Sequence, residues 1–535
     1  AGTQRNPFLP ENDEYIQSHL YVQPHEGKND VMLTNNNPEI QKRSGYLQYD
    51  FIQKLLYQPR HDQKHTLNFQ LSNTNEFNRY DRLSVTEEKN GVLQPKFAEW
   101  YYGPQFRLMT AYHYDGKAQL GADKVHLAIA YQNIKESRHD RKFQKEELYH
   151  TWEKVHVLSL NSDWIKYLYD HKVHAGIDGH LSFLQSTAET ENVRTKEKTY
   201  NMTRYPDGKN RMHSLEAFVT HVWQISPKWS MHDGIRLGYS TTYSSVLDQT
   251  VFPFYGGEDQ RKNNLTYSLA WGMNFKPEKT WKIAVSAATA YRVPNIDNAS
   301  KVFESKLNTV TIPNKNLKPE KTVSLDLNVT KHIQDRLTWE NVIYGTYYYD
   351  AITTGPSTFM GSDKMEYQGE LCQVYTQTNA KAAVLWGVSS SLTAKPSRQI
   401  ELNATVNYTF GEITKGEKKQ PLDHIPPLYG RVGAAYLTNN GKGRFDVYAL
   451  YNGKKDISRY NLNGEDNIEY ATLKGADGKG MPAWFTINAK GSYNLTPYLT
   501  VQVGIENILD TQYRVFSSGI NAPGRNIYGA VRMTF

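Results

Sequence analysis

The chain has 535 residues, of which 39% are hydrophobic, and 62 Lys and Arg stand against 55 Asp and Glu. With a mean hydropathy of −0.68, no stretch supplies the 18 or more apolar residues of a spanning helix, so a helical membrane protein is excluded. The net charge of +7 is dispersed along the chain and gives nucleic-acid binding little support. The one cysteine, Cys372, has no second cysteine for a disulfide or a CxxC metal site.

The chain begins with a polar stretch, AGTQRNPFLPENDEYIQSHLYVQPHEGKND, that lacks a signal-peptide pattern. After it, strands alternate with turn-forming segments, and no long stripe has a helical period. The predicted tight turns are QPRHDQKH (58–65), DGKAQLGADK (115–124), LNSDW (160–164), SPKW (226–229), KPEKTW (276–281), HIQDR (332–336), KPSRQ (395–399), TNNGKG (438–443) and NLTP (494–497). Long polar connections, such as 244–264 and 458–482, separate the resulting hairpins.

Tight turns at one end and long connections at the other are typical of outer-membrane barrels. Backbone groups in lipid have to be paired, which a closed barrel achieves and an open sheet does not. We therefore predict an all-β fold over residues 1–535: a large antiparallel transmembrane β-barrel of about 20 to 22 strands, with short periplasmic turns and long extracellular loops. A secreted adhesin or a propeller made of several sheets is the alternative.

The last strands show the expected alternation most clearly. In AWFTINAKGSYNLTPYLTVQVGIENILD, Phe485 and Ile487 lie on one face, and Thr486 and Asn488 on the other. The final strand, NIYGAVRMTF, likewise puts Phe535 on an apolar face. The sequence thus predicts a lipid-facing row of apolar side chains and a polar row facing the lumen.

Three segments are candidates for ligand contact. SRHDRKF (138–143) lies where a strand enters an outer loop, so Arg138, His139 and Arg141 could meet an anionic chelate, with a solvated charge run as the alternative. AEWYYGPQ (98–105) suits either a membrane-interface aromatic belt, which we favour, or a stacking surface for a flat ligand. The acids of NGEDNIEYATLKGADGKG (463–480) lack the spacing of a calcium loop, and the metal content is left open. HDQKH (61–65) is interpreted as a solvated turn on the periplasmic side.

The segment AYRVPNIDNASKVFESKLNTVTIPNKNLKPEKTVSLDLNV (290–329) resembles the paired "FRAP" and "NPNLKPE" boxes of TonB-dependent outer-membrane receptors. The matching residues are Tyr291, Arg292, Pro294, Pro313, Asn314, Asn316, Leu317, Lys318, Pro319 and Glu320. Such boxes are characteristic of haem receptors, in which a ligating His lies between them. No His occurs in 295–312, which weakens a haem assignment. We interpret the boxes as structural elements that shape strand ends.

The end of the chain, VQVGIENILDTQYRVFSSGINAPGRNIYGAVRMTF (501–535), resembles the closing signature of the same receptors. Its matching residues are Asn507, Ile508, Leu509, Asp510, Tyr513, Pro523, Gly524, Arg525 and Phe535. In barrel proteins a terminal Phe is what the outer-membrane assembly machinery is understood to read. The family's globular plug and TonB box have no counterpart here, so we expect this chain to be the barrel portion, with the plug elsewhere.

The resemblance implies an active transport receptor in the outer membrane of a Gram-negative bacterium, importing an iron chelate or haem when TonB acts on the plug. Membrane lipid, the chelate and possibly a surface lipoprotein are the expected partners, and no cofactor is expected. Import of cobalamin, a peptide or a glycan, a passive porin and a surface adhesin remain as alternatives. The GxSxG, HExxH and P-loop patterns of enzymes are absent, so no catalysis is expected.

Overall fold

A computed structural model describes residues 20–23, 29–36, 40, 42–304, 308–334, 336–379, 382–414, 419–461, 480–518 and 520–534. Phe535 and most of the acidic segment 463–480 lie outside the described residues, so the expectations for them stay predictions. The helices within this part of the chain are α1 (Tyr80–Leu83), α2 (Ile296–Ser300) and one 3-10 turn (Ile457–Arg459). None of them is long and apolar enough to span a membrane.

The strands follow one another with few interruptions. The first are β1 (Leu20–Gln23), β2 (Val31–Thr34), β3 (Gln48–Arg60), β4 (Gln63–Thr74), β5 (Phe77–Asn78), β6 (Thr86–Lys89), β7 (Val92–Pro95), β8 (Phe97–Tyr102), β9 (Phe106–Gln119), β10 (Ala122–Lys142), β11 (Glu147–Leu168) and β12 (His171–Asn192). The middle group comprises β13 (Lys198–Tyr200), β14 (Asn210–Ser226), β15 (Trp229–Ser244), β16 (Gln260–Phe275), β17 (Trp281–Arg292), β18 (Thr309–Ile312), β19 (Glu320–Ile333), β20 (Leu337–Tyr349), β21 (Ile352–Pro356), β22 (Lys364–Tyr367) and β23 (Glu370–Asn379). The last are β24 (Ala382–Ala394), β25 (Ile400–Ile413), β26 (Gln420–Pro421), β27 (Tyr429–Leu437), β28 (Gly443–Asn452), β29 (Trp484–Thr496), β30 (Leu499–Glu506) and β31 (Asn526–Met533).

The long strands form the wall of a closed barrel in which neighbours along the wall are antiparallel. Among the described residues this wall has nineteen long strands, in the order β3, β4, β9, β10, β11, β12, β14, β15, β16, β17, β19, β20, β24, β25, β27, β28, β29, β30 and β31. The short strands β5, β8, β13 and β26 extend its ladders toward the loops. The predicted fold class is confirmed.

Among the described residues, nine tight turns join successive wall strands at one end, as predicted. Seven of them lie within the predicted segments, and an eighth, at Pro497 and Tyr498, overlaps NLTP (494–497). The turn at Leu120 and Gly121 has positive φ at both residues, 51° and 74°, which matches the twist of the flanking strands.

The expected turn at LNSDW (160–164) is wrong, because β11 continues through it to Leu168 and the chain turns at Tyr169 and Asp170. Asn161 donates to Asp178 at 2.7 Å and Asp163 lies 2.7 Å from His174. These turn-forming residue types lie in mid-strand because the lumen they face is polar.

The two faces of the wall differ in the expected way. Outward apolar side chains of neighbouring strands are between 45% and 59% exposed to solvent in the lipid-free chain: Leu215, Val219, Ile235, Leu237 and Leu269. On the opposite face, the Arg236 guanidinium lies 2.6 Å from the Asp178 carboxylate. In the final hairpin Phe485 is 46% exposed, whereas Thr486 is buried. Apolar groups therefore face lipid and polar groups face the lumen.

The long connections fold over the loop end of the barrel. Strands β18, β21, β22 and β23 form a separate small sheet, which packs around a core of Phe252, Val302, Val310, Cys372 and Val374. An ion pair of 2.7 Å between the Lys142 ammonium and the Glu370 carboxylate joins this sheet to the wall. A covered chamber results between the loop sheet and the wall.

Candidate functional site

A cavity of about 250 Å³ lies in this chamber, between the wall strands β8, β10 and β11 and the loops opposite them. Its lining includes four arginines, five aromatic residues and two acids: Arg79, Arg82, Arg138, Arg204, Trp100, Tyr102, Tyr149, Phe303, Tyr367, Asp140 and Glu304. In the described part of the chain, none of the residues that line this cavity is a histidine. The cavity therefore combines positive charge with flat apolar surfaces.

The length of β10 carries its last residues above the membrane. Arg138 is the 17th residue counted from Ala122, whereas a membrane-spanning strand uses about 9 to 11 residues. Since successive side chains alternate between faces, Arg138 and Asp140 point into the cavity and His139 and Arg141 point to the barrel exterior.

Aromatic rings and carboxylates hold the arginines in place. The Arg82 guanidinium lies 4.9 Å from the centre of the Trp100 ring. Arg79 and Arg138 lie over the Tyr102 ring at 5.0 and 5.2 Å. Arg79 also donates to the Asp81 carboxylate at 2.6 and 2.7 Å. Cation–π contacts and ion pairs of this kind help to fix a guanidinium in position.

Arg138 from the wall and Arg204 from a loop both line the cavity. Arg138 is paired with Glu153 at 2.9 Å and with Glu136 at 2.8 Å. Arg204, in the loop between β13 and β14, lies 5.3 Å from the centre of the Phe303 ring. Anionic groups entering between them would meet guanidinium groups from both the wall and the loops.

The acids in and beside the cavity have raised pKa values. Burial, together with the nearby Glu304 carboxylate, raises the pKa of Asp140 to about 7. Burial also raises the pKa of Glu304. The pKa of Glu153, the partner of Arg138, is raised to about 7 by burial, against the lowering effect of Arg138. Protonation of these acids as the pH falls leaves the positive charge of the arginines less fully offset.

Of the three predicted ligand-contact residues, only Arg138 lines the cavity. His139 is buried on the outer face, where its ring stacks on Tyr101 with centroids 4.5 Å apart. Arg141 is also buried and donates to Asp30 at 2.7 Å and to Glu99 at 2.7 Å. His139 and Arg141 are therefore not contact residues of this cavity, because strand alternation turns them away from it.

The aromatic segment 98–105 contributes two rings to the cavity, Trp100 and Tyr102. Both interpretations of the segment, a membrane-interface belt and a stacking surface for a ligand, stay predictions. Arg79, Arg82 and Arg204 were not identified from the sequence. Arg204 is more than 60 residues from Arg138 in the sequence, and only tertiary structure brings the two together.

The two boxes in 290–329 meet at the loop end of β17 and β19. Arg292 donates to Glu320 at 2.5 Å, and the other Glu320 oxygen accepts from the Ile352 N–H at 2.9 Å. Asn314 donates to the Gln377 carbonyl at 2.8 Å, and Leu317 is buried.

The remaining box residues surround these contacts. Tyr291 ends β17 beside Arg292, and Pro294, Pro313, Asn316, Lys318 and Pro319 lie in the connections between the strands. None of the box residues lines the cavity. This geometry supports the structural interpretation of the boxes.

The closing signature forms one hydrogen-bonded loop before the last strand. Asn507, with φ of 48°, exchanges two bonds of 2.8 Å with the backbone of Thr511. Asp510 accepts from the Arg525 N–H at 2.7 Å, and the Arg525 guanidinium donates to the Ile508 carbonyl at 2.9 Å. Pro523 and Gly524 precede Arg525 in the same loop. These residues orient the closing strand.

Residues 7–508 match the model of a protein family described as TonB dependent receptor-like, beta-barrel. A comparison with curated proteins returns no match. Among solved structures, the chain is similar to the copper transporter OprC, with a TM-score of 0.72 and 15% identity over 92% of this chain and 72% of that one.

Two further solved structures are similar. The siderophore receptor PirA from Acinetobacter baumannii has a TM-score of 0.66 and 15% identity over 91% of this chain and 71% of that one. The iron transporter FrpB from Neisseria meningitidis (F5-1 variant) has a TM-score of 0.65 and 12% identity over 92% and 74%. At these identities the likeness shows the fold.

Proposed function

The chain belongs to the TonB-dependent receptor β-barrel family, and we propose that it takes up a small anionic metal chelate, above all an iron chelate, through the arginine-lined cavity. The family is one of receptors and transporters, in agreement with the expectation that the chain is not an enzyme. Barrels of this family are outer-membrane proteins of Gram-negative bacteria, and we assign this chain to the same location.

The observation that carries the proposal is the convergence of four arginines and several aromatic rings in one cavity above the lumen. Guanidinium groups bind carboxylate and catecholate oxygens through paired N–H donors. The aromatic rings supply flat surfaces on which the arms of a chelate can stack. An iron-carrying siderophore of carboxylate or catecholate type has both features.

The cavity favours a chelate over haem. Its volume of about 250 Å³ is near the lower end of ligand pockets, which span about 300–1,000 Å³, so it holds one or two chelating arms rather than a whole porphyrin. Among the residues that the structure describes, no histidine lines it to ligate haem iron. Haem remains the second substrate of this proposal. The siderophore and iron specificities named for two similar structures support the same substrate class.

The barrel wall alone does not account for active transport. By family membership, a plug domain would close the lumen and TonB would act on it with energy from the inner membrane. We place that plug outside the described wall and expect substrate bound in the cavity to move inward when the plug is displaced.

The experiment is equilibrium binding of ferric citrate, ferric catecholates, haem and cyanocobalamin to the purified receptor in detergent. We expect a ferric chelate to bind, and Arg138→Gln and Arg204→Gln each to weaken it about tenfold or more, because a hydrogen bond to a charged group contributes about 1.5–3 kcal/mol. Arg211→Gln, an exposed arginine of β14 that does not line the cavity, is the matched control. Equal affinity in all three variants, or binding of cyanocobalamin alone, would contradict the proposal.

A further inference from the structure

A second cluster of polar side chains lies on the outer face of the same strands, behind the cavity. Cross-strand pairing places His150 of β11 between His139 of β10 and Glu189 of β12. Glu191 follows two residues after Glu189 on the same face. One ligand atom from each of His150, Glu189 and Glu191 lies within 4.8 Å of the other two.

The His150 ring nitrogen that faces the acids is buried and makes no hydrogen bond. His150 as a whole is 8% exposed, and its Nε2 has no hydrogen-bond partner among the described residues. The nearest Glu191 carboxylate oxygen is 3.9 Å away, too far for a hydrogen bond. A buried nitrogen in this state needs an explanation, because leaving such a group unpaired costs about 1–3 kcal/mol.

The other side of the His150 ring allows the tautomer that can ligate a metal ion. Nδ1 of His139 lies 2.5 Å from Nδ1 of His150, so one of these two nitrogens donates a hydrogen bond to the other. In the tautomer in which Nδ1–H of His150 donates, Nε2 of His150 keeps a lone pair on the side of Glu189 and Glu191. A histidine held by such a partner on its second nitrogen is the usual arrangement at metal sites.

We propose that His150, Glu189 and Glu191 bind a divalent transition metal ion, with Zn²⁺ as the reference ion. Imidazole nitrogen and carboxylate oxygen are ligands that Zn²⁺ accepts at about 2.0–2.2 Å, and a tetrahedral site needs ligand atoms about 3.3 Å apart. The ligand atoms now lie within 4.8 Å of one another. Rotation of the Glu189 and Glu191 side chains, which are partly exposed, brings these atoms to a spacing of about 3.3 Å. Solvent supplies the fourth ligand.

Two lysines balance the acids when no metal is bound. The Lys198 ammonium lies 2.5 Å from Glu189 and 3.7 Å from Glu191, and the Lys196 ammonium lies 3.2 Å from Glu191. Their side chains are 53% and 59% exposed, so both can swing into water at little cost. A dication replacing two ammonium groups leaves the net charge of the cluster unchanged. Metal and Lys198 thus compete for the same oxygens.

This competition allows an experiment that distinguishes a metal site from a set of ordinary ion pairs. Zn²⁺ binding to the purified receptor is measured by calorimetry in detergent. We expect Glu189→Gln and Glu191→Gln each to weaken Zn²⁺ binding at least tenfold and Lys198→Gln to strengthen it several-fold. Glu197→Gln, an exposed acid of the neighbouring turn, is the matched control and should leave the affinity unchanged.

X-ray absorption of the Zn²⁺-loaded wild type provides a second measurement that does not depend on variants, and one nitrogen with oxygen ligands is expected. The proposal is overturned if the two glutamine variants bind Zn²⁺ like the wild type, if Lys198→Gln weakens binding, or if the spectrum shows several histidine ligands. Because Zn²⁺ alone is the probe, these results are independent of chelate binding in the cavity.

Discussion

Replacing Val503 with Arg tests the orientation of the wall most directly. Val503 is 59% exposed on the outer face of β30, and its cross-strand neighbours, Gly491 and Gly529, have no side chains to shield a charge. It lies five residues beyond the turn residue Tyr498. At about 3.3 Å per residue and a tilt of about 40°, this places it about 13 Å above the turn, near the middle of a 25 Å apolar band.

An arginine side chain, roughly 6 Å long, does not reach either edge of that band by snorkelling. We therefore expect Val503→Arg to cost about 2–4 kcal/mol. Gln502→Arg, one residue away and facing the lumen, is the matched control and should cost under about 1 kcal/mol. The assay is reversible urea unfolding of the barrel in phospholipid vesicles, followed by tryptophan fluorescence.

Equal penalties for the two variants, or a larger penalty for Gln502→Arg, would refute the assignment of lipid and lumen faces.

Three other predictions address the loops. Burial raises the folded pKa of Asp140 to about 7, so protonated Asp140 favours the folded state. This contribution to the free energy of unfolding is complete below the unfolded pKa near 4 and falls by roughly 2–4 kcal/mol as the pH rises toward 7. Thermal unfolding from pH 4 to 8 should show this loss of stability in the wild type and a smaller loss in Asp140→Asn. Asn507→Ala should lower the free energy of unfolding by about 1–3 kcal/mol, because the hydrogen bonds to the Thr511 backbone are lost. Asn507→Gly should be less destabilising, because glycine tolerates the positive φ. A lower urea midpoint for Asn507→Gly than for Asn507→Ala would contradict this. Cys372 is 2% exposed and burial raises the pKa of its thiol to about 11. Maleimide should therefore label Cys372 only after unfolding, which mass spectrometry can measure. Rapid labelling of the folded receptor would contradict the burial of Cys372 in the loop core.

Much of the barrel could be predicted because its signal is local. Alternation in the final hairpin, as at Phe485 and Thr486, assigns each side chain to a face before any partner strand is known. Eight tight turns were located from short polar segments. The prediction of the ninth turn at 160–164 was wrong, because Asn161 and Asp163 face the polar lumen in mid-strand. In a soluble sheet, such residues would more often mark a turn.

The cavity could be predicted only in part. Arg138 was proposed because a charged run at a strand end is visible in the sequence. The sequence does not show how far β10 extends, and the structure places His139 and Arg141 on the face opposite the cavity. Arg79 and Arg82 share one short segment and Arg204 lies more than 120 residues later in the chain. The folded loops bring all three to the cavity that Arg138 lines.

The sequence by itself determined the fold class, the strand faces and the family resemblance, since each depends on spacing within a few residues or on a contiguous motif. Only the tertiary structure decided which charged groups share a space. Cross-strand register placed His150 beside Glu189, and loop packing brought Arg204 to the same cavity as Arg138. Both depend on contacts between residues distant in sequence, which local patterns do not record.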